Sequence, residues 1–206
     1  MSTLILIRHG QSEWNAENLF TGWVNVPLTD LGRSEARTGG KLLAAEGLTV
    51  DLAYTSDLQR AIDTGQIVLD ALGQPEHPQI QAWQLNERFY GALTGRDKQQ
   101  TREEFGAEQV HIWRRSYDVA PPAGESLKDT GERTLPYFRG TILPSTASHE
   151  VVLVTAHGNS LRAIMKDLED ISDEDIPTVE IATGVPYVYE MADGTVRGKR
   201  VLTPAI

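Results

Sequence analysis

The sequence contains no cysteine among its 206 residues. Disulfide bonds, thiolate nucleophiles and cysteine-based zinc sites are therefore excluded. No apolar run approaches the roughly 18 residues of a membrane-spanning helix, and no basic region precedes an apolar stretch at the N-terminus. We therefore expect a cytoplasmic protein with no membrane partner.

Basic residues are also in the minority. Lysines and arginines number 19 against 29 aspartates and glutamates, which gives a formal net charge of −10. Because nucleic-acid backbones attract basic surfaces, we expect no nucleic-acid partner. A small anionic ligand is not excluded, because an acidic exterior can surround a basic pocket.

Metal-ligand patterns are missing as well. His77, His111 and His149 fall in loop or helix-surface contexts, and no pair of them has metal-ligand spacing. No Asp-rich loop resembles a calcium site. We predict that no metal is bound and that basic side chains supply the positive charge instead.

No repeat, low-complexity tract or linker divides the chain, and 40% of its residues are hydrophobic. This predicts a single domain over residues 1–206 with a full apolar core. Residues 83–145 are less regular and are interrupted by Pro121-Pro122-Ala123-Gly124. We interpret them as an inserted region that lies over the active site.

Two apolar runs each pass directly into a histidine and a glycine. Residues 4–7 lead through Arg8 into His9, and residues 151–156 lead into His157. Runs of this kind suit buried strands, and open α/β sheets bind their ligands at the carboxyl ends of such strands. The sequence therefore predicts one site in which two imidazoles face each other.

Strands and helices alternate along the first part of the chain. Residues 52–56 predict a short strand, and apolar residues at steps of three and four then predict a helix to Leu72 with Ser56 as its N-cap. A second helix is predicted between Thr29 and Gly47. Right-handed crossovers then give the α/β class, a three-layer sandwich with a mostly parallel central sheet flanked by helices.

Three further elements are predicted toward the C-terminus. A helix is expected over about 159–168, and Ser172 with Asp175 resembles a capping box for a short acidic helix. Residues 187–191 and 196–202, separated by Asp193-Gly194, predict a terminal hairpin.

The strand-end residues have the chemistry that phosphoryl transfer needs. A neutral His9 with one ring nitrogen held by a backbone carbonyl could attack phosphorus with the other. Arg8, Arg60 and, if protonated, His157 would supply positive charge to the phosphoryl oxygens. A lone His-Gly after a strand is more often a plain turn, but the paired histidines with flanking arginines favour the functional interpretation.

Cleavage of a phosphate ester also requires a proton for the departing oxygen. A carboxylate whose pKa is raised among phosphates suits this role, and Glu87 is the candidate. From the pattern alone, a glutamate beside Arg88 is more often an ion pair.

Six segments carry a family resemblance and span residues 4–190. They are Arg8-His9-Gly10-Gln11-Ser12-Glu13-Trp14-Asn15, Phe20-Thr21-Gly22-Trp23, Tyr54-Thr55-Ser56-Asp57-Leu58-Gln59-Arg60-Ala61, Leu85-Asn86-Glu87-Arg88-Phe89-Tyr90-Gly91, Trp113-Arg114-Arg115 and Ala156-His157-Gly158-Asn159-Ser160-Leu161-Arg162. They resemble the histidine phosphatase superfamily, and more closely the short form of its 2,3-bisphosphoglycerate-dependent phosphoglycerate mutases.

The resemblance implies a phosphoglycerate mutase-like fold and specific residue roles. His9 would be the phosphorylated nucleophile, Glu87 the proton donor and acceptor, and His157 a stabiliser of the transferring group. Without the resemblance, Arg114 and Arg115 are equally well explained as a solvated helix face. The implied substrate-binding residues are Arg8, Ser12, Asn15, Thr21, Gly22, Arg60, Glu87, Arg88, Tyr90, Lys98, Arg114, Arg115, Gly158 and Asn159.

The implied activity interconverts 2-phosphoglycerate and 3-phosphoglycerate in glycolysis and gluconeogenesis, through a phosphohistidine primed by 2,3-bisphosphoglycerate. Small-molecule phosphoglycerates would be the partners, and monomer, dimer and tetramer all stay open. One alternative is a phosphohistidine-dependent phosphatase of small phosphate esters. Another is a non-catalytic module, which would be expected to lack at least one of His9, Glu87 and His157, and the sequence retains all three.

Overall fold

The computed structural model describes residues 1–204, and its strands form one six-stranded sheet in the order β3-β2-β4-β1-β5-β6. The two apolar runs that end in histidine form the two central strands. The strands are β1 (Ser2–Arg8), β2 (Leu52–Thr55), β3 (Gln79–Gln81), β4 (Val151–Ala156), β5 (Pro186–Ala192) and β6 (Thr195–Val201).

The pairing of β1 with β4 is parallel, and its register sets Arg8 opposite Ala156. β2 and β3 continue the parallel part of the sheet on one side, while β5 and β6 are antiparallel on the other. A parallel sheet needs cover on both faces, and all six residues of β4 are buried. The predicted α/β class with a mostly parallel sheet is confirmed.

Helices connect the strands and cover both faces of the sheet. Near the N-terminus a short helix precedes two long crossover helices, and the remainder follow β3. The helices are α1 (Glu13–Ala16), α2 (Asp30–Ala45), α3 (Gln59–Ala71), α4 (Lys98–Phe105), α5 (Ala107–Arg115), α6 (Leu127–Tyr137), α7 (Leu143–Ser145) and α8 (Gly158–Glu169).

Alternation along β1 divides the core into two layers. Leu4 and Leu6 belong to the cluster that includes Leu161 and Ile164 of α8, and their side chains are fully buried. Side chains at odd and even positions of a strand point to opposite faces, so each face of β1 contributes to a different core. Burial of each such side chain stabilises the fold by about 1.5–3 kcal/mol.

The opposite face of β1 packs on the two crossover helices. Ile5 and Ile7 share a second cluster with Leu43 of α2 and with Val68 and Leu69 of α3. The three predicted layers are therefore α2 and α3, the sheet, and the helices on the side of α8.

Several predicted helix ends are confirmed. The Thr29 hydroxyl accepts a hydrogen bond from the Gly32 amide, which makes Thr29 the N-cap of α2. Gly47 and Gly73 follow α2 and α3 with φ values of 70° and 77°, a conformation that favours glycine.

In the terminal hairpin, Asp193 and Gly194 have φ values of 52° and 69°, as a type I′ turn requires.

Two predicted caps are wrong. Helix α3 begins at Gln59 after Leu58, and Ser56 lies two residues upstream of that cap. Its hydroxyl accepts from the Leu58 amide at 3.2 Å and contacts His157. The Ser172 hydroxyl does accept from the Asp175 amide, but only a 3₁₀ turn over Ile176–Thr178 follows, because Pro177 has no amide to continue a helix.

Residues 83–145 contain α4 to α7 and two 3₁₀ turns, Trp83–Leu85 and Gly91–Leu93. From Leu127 onward the chain forms α6, a π-helical turn over Phe138–Ile142 and α7. Over residues 1–204, no helix combines the length and apolar character that a membrane crossing requires.

The packing of α2 generates a stability prediction. A Cβ at Gly39 would lie 2.2 Å from the Gly184 carbonyl oxygen, a distance that no real side chain shows. We expect Gly39→Ala to lower the free energy of unfolding by roughly 1–3 kcal/mol, as other overpacked sites do. Urea denaturation would measure this loss.

Gly140 provides the matched control, because a Cβ there has no neighbour within 4 Å. Gly140→Ala should leave stability unchanged or raise it by up to about 1 kcal/mol. Equal effects of the two substitutions would contradict the close approach of α2 to residue 184.

Candidate active site

A cavity of about 280 Å³ opens at the carboxyl ends of β1 and β4. Its walls come from segments that are distant in the sequence: the end of β1, the loop after α1, the start of α3, residues 87–90, α4, α5 and the start of α8. Fourteen predicted residues line it: Arg8, His9, Asn15, Thr21, Gly22, Arg60, Glu87, Arg88, Tyr90, Lys98, Arg114, Arg115, Gly158 and Asn159.

The two strand-end histidines meet beside this cavity. The centroids of the His9 and His157 rings are 4.9 Å apart, with the ring planes tilted by 57°. The His9 amide continues the β1–β4 ladder by donating to the Ala156 carbonyl at 2.9 Å. The parallel register therefore fixes the separation of two residues that are 148 positions apart in the sequence.

His9 is held as a neutral imidazole with a free Nε2. Its Nδ1 lies 2.7 Å from the Gly10 carbonyl oxygen, and since a carbonyl can only accept, Nδ1 carries the proton. Burial and the charges of Arg60 and Arg8 lower the pKa of His9 well below its ordinary value, although the bond to Gly10 acts in the opposite direction. The unprotonated Nε2 is the form that can act as a nucleophile.

His157 is fully buried and bonds to Ser56, the residue that follows β2. Its Nε2 lies 2.7 Å from the Ser56 hydroxyl, while its Nδ1 has no hydrogen-bond partner in the described part of the chain. Burial, followed by the charges of Arg60 and His9, lowers the pKa of His157 well below its ordinary value. The protonated form of His157, which the sequence analysis allowed for, is therefore disfavoured.

Arg60 is a buried guanidinium at the start of α3. It donates to the carbonyls of Gly22 and Val24 at 2.8 and 2.9 Å, and these two bonds fix its orientation. Burial lowers its pKa to about 10, so it stays charged at neutral pH. Within the described part of the chain, its Nε and that of Arg8 are buried and have no hydrogen-bond partner, which leaves donors available to an anion.

Glu87 accepts three hydrogen bonds through a single oxygen. Its Oε1 receives the Arg88 amide at 2.7 Å and both the amide and the side-chain nitrogen of Asn159, at 3.1 and 2.8 Å. Burial raises the pKa of Glu87, but these bonds and the charges of Arg8 and Arg60 outweigh it and lower the pKa overall. The protein's own groups therefore favour the ionised carboxylate, and the expectation of a pKa raised among phosphates stays a prediction.

A buried arginine holds the loop that carries Glu87. Arg133 of α6 donates to the carbonyls of Gln84, Asn86 and Glu87 at 2.8–3.1 Å. The same guanidinium forms two hydrogen bonds with Glu125, at 2.8 and 2.9 Å. Arg133 thereby fixes the position of the Glu87 backbone from outside the cavity.

The part of the cavity beside α4 and α5, here called its outer end, is lined by three cations, Lys98, Arg114 and Arg115, here called the outer cations. Lys98 donates to the Leu19 carbonyl at 2.8 Å, and burial together with the charges of Arg114 and Arg8 lowers its pKa to about 8. Arg114 and Arg115 occupy the last turn of α5 and line the same cavity as His9. The two arginines are therefore not simply part of a solvated helix face.

Two predicted residues do not line this cavity. Ser12 is the N-cap of α1, and its hydroxyl accepts from the Asn15 amide while the Asn15 side chain accepts from the Ser12 amide. It is fully buried and supports Asn15, which does line the cavity. His157 lies behind His9 and contacts its ring.

The motifs do not predict Arg133, or four residues that line the cavity: Leu19, Phe20, Arg162 and Glu180. Arg162 ends one of the resembling segments, and its position one turn after Gly158 on α8 could have indicated the same face. Glu180 lies in a loop, and no sequence signal indicates it.

The lining carries a strong excess of positive charge. Seven arginine and lysine side chains face two carboxylates, Glu87 and Glu180. A concave site of this composition suits a small ligand with more than one anionic group. Among residues 1–204, no group of three or more histidine, aspartate or glutamate side chains is arranged to hold a metal ion.

Comparisons with known proteins agree with this geometry. A family model described as "Histidine phosphatase superfamily (branch 1)" matches residues 4–202. Proteins named 2,3-bisphosphoglycerate-dependent phosphoglycerate mutase are similar to the chain. The one from Brucella melitensis biotype 2 is 55% identical over 98% of both chains. The one from Rhizobium meliloti is 55% identical over 97% of this chain and 95% of its own.

Solved structures share the fold at lower identity. The alpha-ribazole phosphatase from Shigella flexneri aligns with a TM-score of 0.82 and 24% identity, covering 97% of this chain and 95% of that one. This likeness supports the architecture alone.

Anion binding at the inner end of the cavity can be tested with inorganic phosphate. Arg60→Lys keeps the charge but loses the planar fork that Arg60 presents. We expect phosphate affinity, measured by calorimetry, to fall roughly tenfold, the equivalent of one charge-assisted hydrogen bond. Arg33→Lys is the control, because Arg33 forms a partly exposed pair with Asp63 outside the lining. Unchanged affinity in Arg60→Lys would contradict the assignment.

Proposed function

The chain belongs to the histidine phosphatase superfamily, and from this premise we propose that it is a 2,3-bisphosphoglycerate-dependent phosphoglycerate mutase. It would interconvert 2-phosphoglycerate and 3-phosphoglycerate in glycolysis and gluconeogenesis, and so work in the cytoplasm. The observation that carries the proposal is a single cavity lined by neutral His9 and Glu87 and also by Lys98, Arg114 and Arg115.

In the first step, the His9 Nε2 lone pair forms a bond to phosphorus while the bond between phosphorus and the ester oxygen breaks. Glu87, in its protonated form, gives its proton to the departing oxygen. The negative charge of a bound phosphate acts against the groups that lower the pKa of Glu87, so the substrate itself promotes this protonated form. Bound 2,3-bisphosphoglycerate would supply the first phosphoryl group.

The return step uses the same residues in reverse. The Glu87 carboxylate accepts the proton of the other hydroxyl, whose oxygen then bonds to phosphorus as the bond to His9 Nε2 breaks. The return step produces the bisphosphorylated intermediate, which must turn within the cavity before the first step repeats on its other phosphate. Cations at both ends allow either phosphate of the intermediate to be held at either end.

The proposed roles follow the two ends of the cavity. Arg8, Asn15, Arg60 and His157 would hold the transferring phosphoryl group, and the unpartnered Nε atoms of Arg8 and Arg60 support this. Residues that would contact the remainder of the phosphoglycerate are Thr21, Gly22, Arg88, Tyr90, Lys98, Arg114, Arg115, Gly158 and Asn159, while Ser12 would act through Asn15, whose position it supports.

The domain organisation is part of the same proposal. We infer one domain over residues 1–206, in which the inserted region, 83–145, contributes both Glu87 and the outer cations. The inserted region, which lies over the active site, would thus carry both the proton donor and the outer cations that bind the substrate.

A phosphatase with the same nucleophile is the second candidate. His9, Arg8, Arg60 and Glu87 would suffice for hydrolysis if water accepted the phosphoryl group. The outer cations favour the mutase, because a simple phosphate monoester has no group for Lys98, Arg114 and Arg115 to bind.

The decisive measurement separates isomerisation from hydrolysis. The protein is incubated with 3-phosphoglycerate and catalytic 2,3-bisphosphoglycerate, and 2-phosphoglycerate and free phosphate are followed together. We expect 2-phosphoglycerate to form with little phosphate released. Phosphate release without any isomer would establish the phosphatase instead.

The nucleophile is tested by labelling with phosphoryl-labelled bisphosphoglycerate. His9→Ala should abolish both isomerisation and the acid-labile label, because Nε2 of His157, the neighbouring imidazole, is engaged with the Ser56 hydroxyl. His77→Ala, at a loop histidine outside the cavity, should keep both. A label that survives in His9→Ala would identify a different nucleophile.

Lys98 gives the reaction a pH dependence. Its pKa of about 8 means that its charge is present below that pH and is lost as the pH rises through it. We expect KM for 3-phosphoglycerate to rise roughly tenfold between pH 7 and pH 9.5, the loss of one charged hydrogen bond. Lys98→Met should show a high KM with little slope over this range. An unchanged slope in that variant would assign the effect to another group.

A further inference from the structure

We propose that Glu180 is an internal competitor for the substrate at the outer end of the cavity. Its carboxylate pairs with Arg115 until an anionic group of the substrate displaces it. Ligands that lack such a group gain no affinity from the outer cations. The inference rests on the proposed function for the identity of the substrate, and it concerns a residue with no part in the phosphoryl-transfer steps.

The geometry places the Glu180 carboxylate on two of the lining arginines. Its Oε1 lies 2.6 Å from Arg115 Nη2, and its Oε2 lies 3.9 Å from Arg162 Nη2. The only other carboxylate in the described lining is Glu87, which is buried and already bonded to Asn159. Glu180 is therefore the acidic group that an incoming anion meets beside Arg115.

The arginines do not depend on Glu180 for their positions. Arg115 Nη1 donates to the Pro177 carbonyl at 3.0 Å, and Arg162 Nε donates to the Val179 carbonyl at 2.8 Å. Each guanidinium thus has a backbone acceptor that would remain after the carboxylate moved away. The contacts with Glu180 use Nη2 of each arginine, so the backbone bonds and the ion pair are made by different nitrogens.

The backbone on both sides of Glu180 is fixed, while its side chain is free to move. Arg162 binds the carbonyl of Val179, and Arg8 Nη1 binds that of Ile181 at 2.9 Å. Ile181 is buried, whereas the Glu180 side chain is 69% exposed. A rotation of this one side chain is enough to release Arg115.

An exposed ion pair of this kind is weak, so a carboxylate or phosphate that also contacts Lys98 and Arg114 can replace it. A phosphate ester with an uncharged remainder cannot make this exchange. For that ligand the pair between Glu180 and Arg115 stays closed, and the outer end contributes no affinity. Glu180 thereby weakens binding at the outer end and makes the cavity selective for esters with a second anionic group.

The test compares two substrates in Glu180→Gln, an isosteric change that removes the charge. KM for 3-phosphoglycerate should fall roughly three- to fivefold, in line with the strength of an exposed pair. KM for phenyl phosphate hydrolysis should change by a smaller factor, so the preference for the charged substrate increases. Asp173→Asn is the control, because Asp173 pairs with Lys166 in the same segment but lies outside the cavity.

A double-mutant cycle with Arg115→Met shows whether the effect runs through Arg115. In that background Glu180→Gln should change KM by less than it does alone. A rise in KM in Glu180→Gln would make Glu180 a positioning partner of Arg115, and an unchanged KM would make the pair irrelevant; either overturns the proposal. Calorimetric titration of 3-phosphoglycerate into both proteins tests tighter binding even if the wild type proves not to isomerise it.

Discussion

The adjacent parallel pairing of β1 and β4 is the constraint on which the rest of the molecule depends. Because the ladder continues through His9 to Ala156, two residues from opposite ends of the chain are brought into ring contact without any flexible element. A slip of one residue in this register would send the apolar residues of β1 to the wrong faces. Core packing therefore enforces the geometry of the site.

The cavity is organised by backbone carbonyls as much as by side chains. Arg8, Arg60 and Arg133 each donate to carbonyl groups of loops that are remote in the sequence, and Arg88 donates to a carbonyl of α5. These bonds hold positively charged groups close together. The repulsion between these groups lowers the stability of the fold, and a bound anion relieves it. The hydrophobic layers on both sides of the sheet compensate for that cost, so stability and anion binding are supplied by different parts of the fold.

Local patterns predict the elements and many site residues. The apolar runs before His9 and His157, and the caps at Thr29, Gly47 and Gly73, are signals within a few residues of the features they predict. The bond from Ser56 to His157 spans 101 positions. The contacts of Arg133 with the Glu87 loop span 46 to 49 positions. Such contacts follow from the topology, and a residue pattern does not encode them.

The same limit applies to charge. A sequence motif identifies Glu87 as a carboxylate, but its pKa depends on donors from Arg88 and Asn159, which only the folded chain supplies. The motif likewise does not say that Glu180, in a loop after α8, will meet the outer arginines. Electrostatic properties were thus the least predictable part of the site.

Two of the three bonds on Glu87 Oε1 come from Asn159 and connect the carboxyl group to the first turn of α8. When Glu87 gains a proton, its oxygen becomes a poorer acceptor for the Asn159 amide, so that amide senses the protonation state directly. Asn159 is therefore a built-in spectroscopic reporter: its amide resonance can follow the travelling proton during turnover, with no probe attached to the protein.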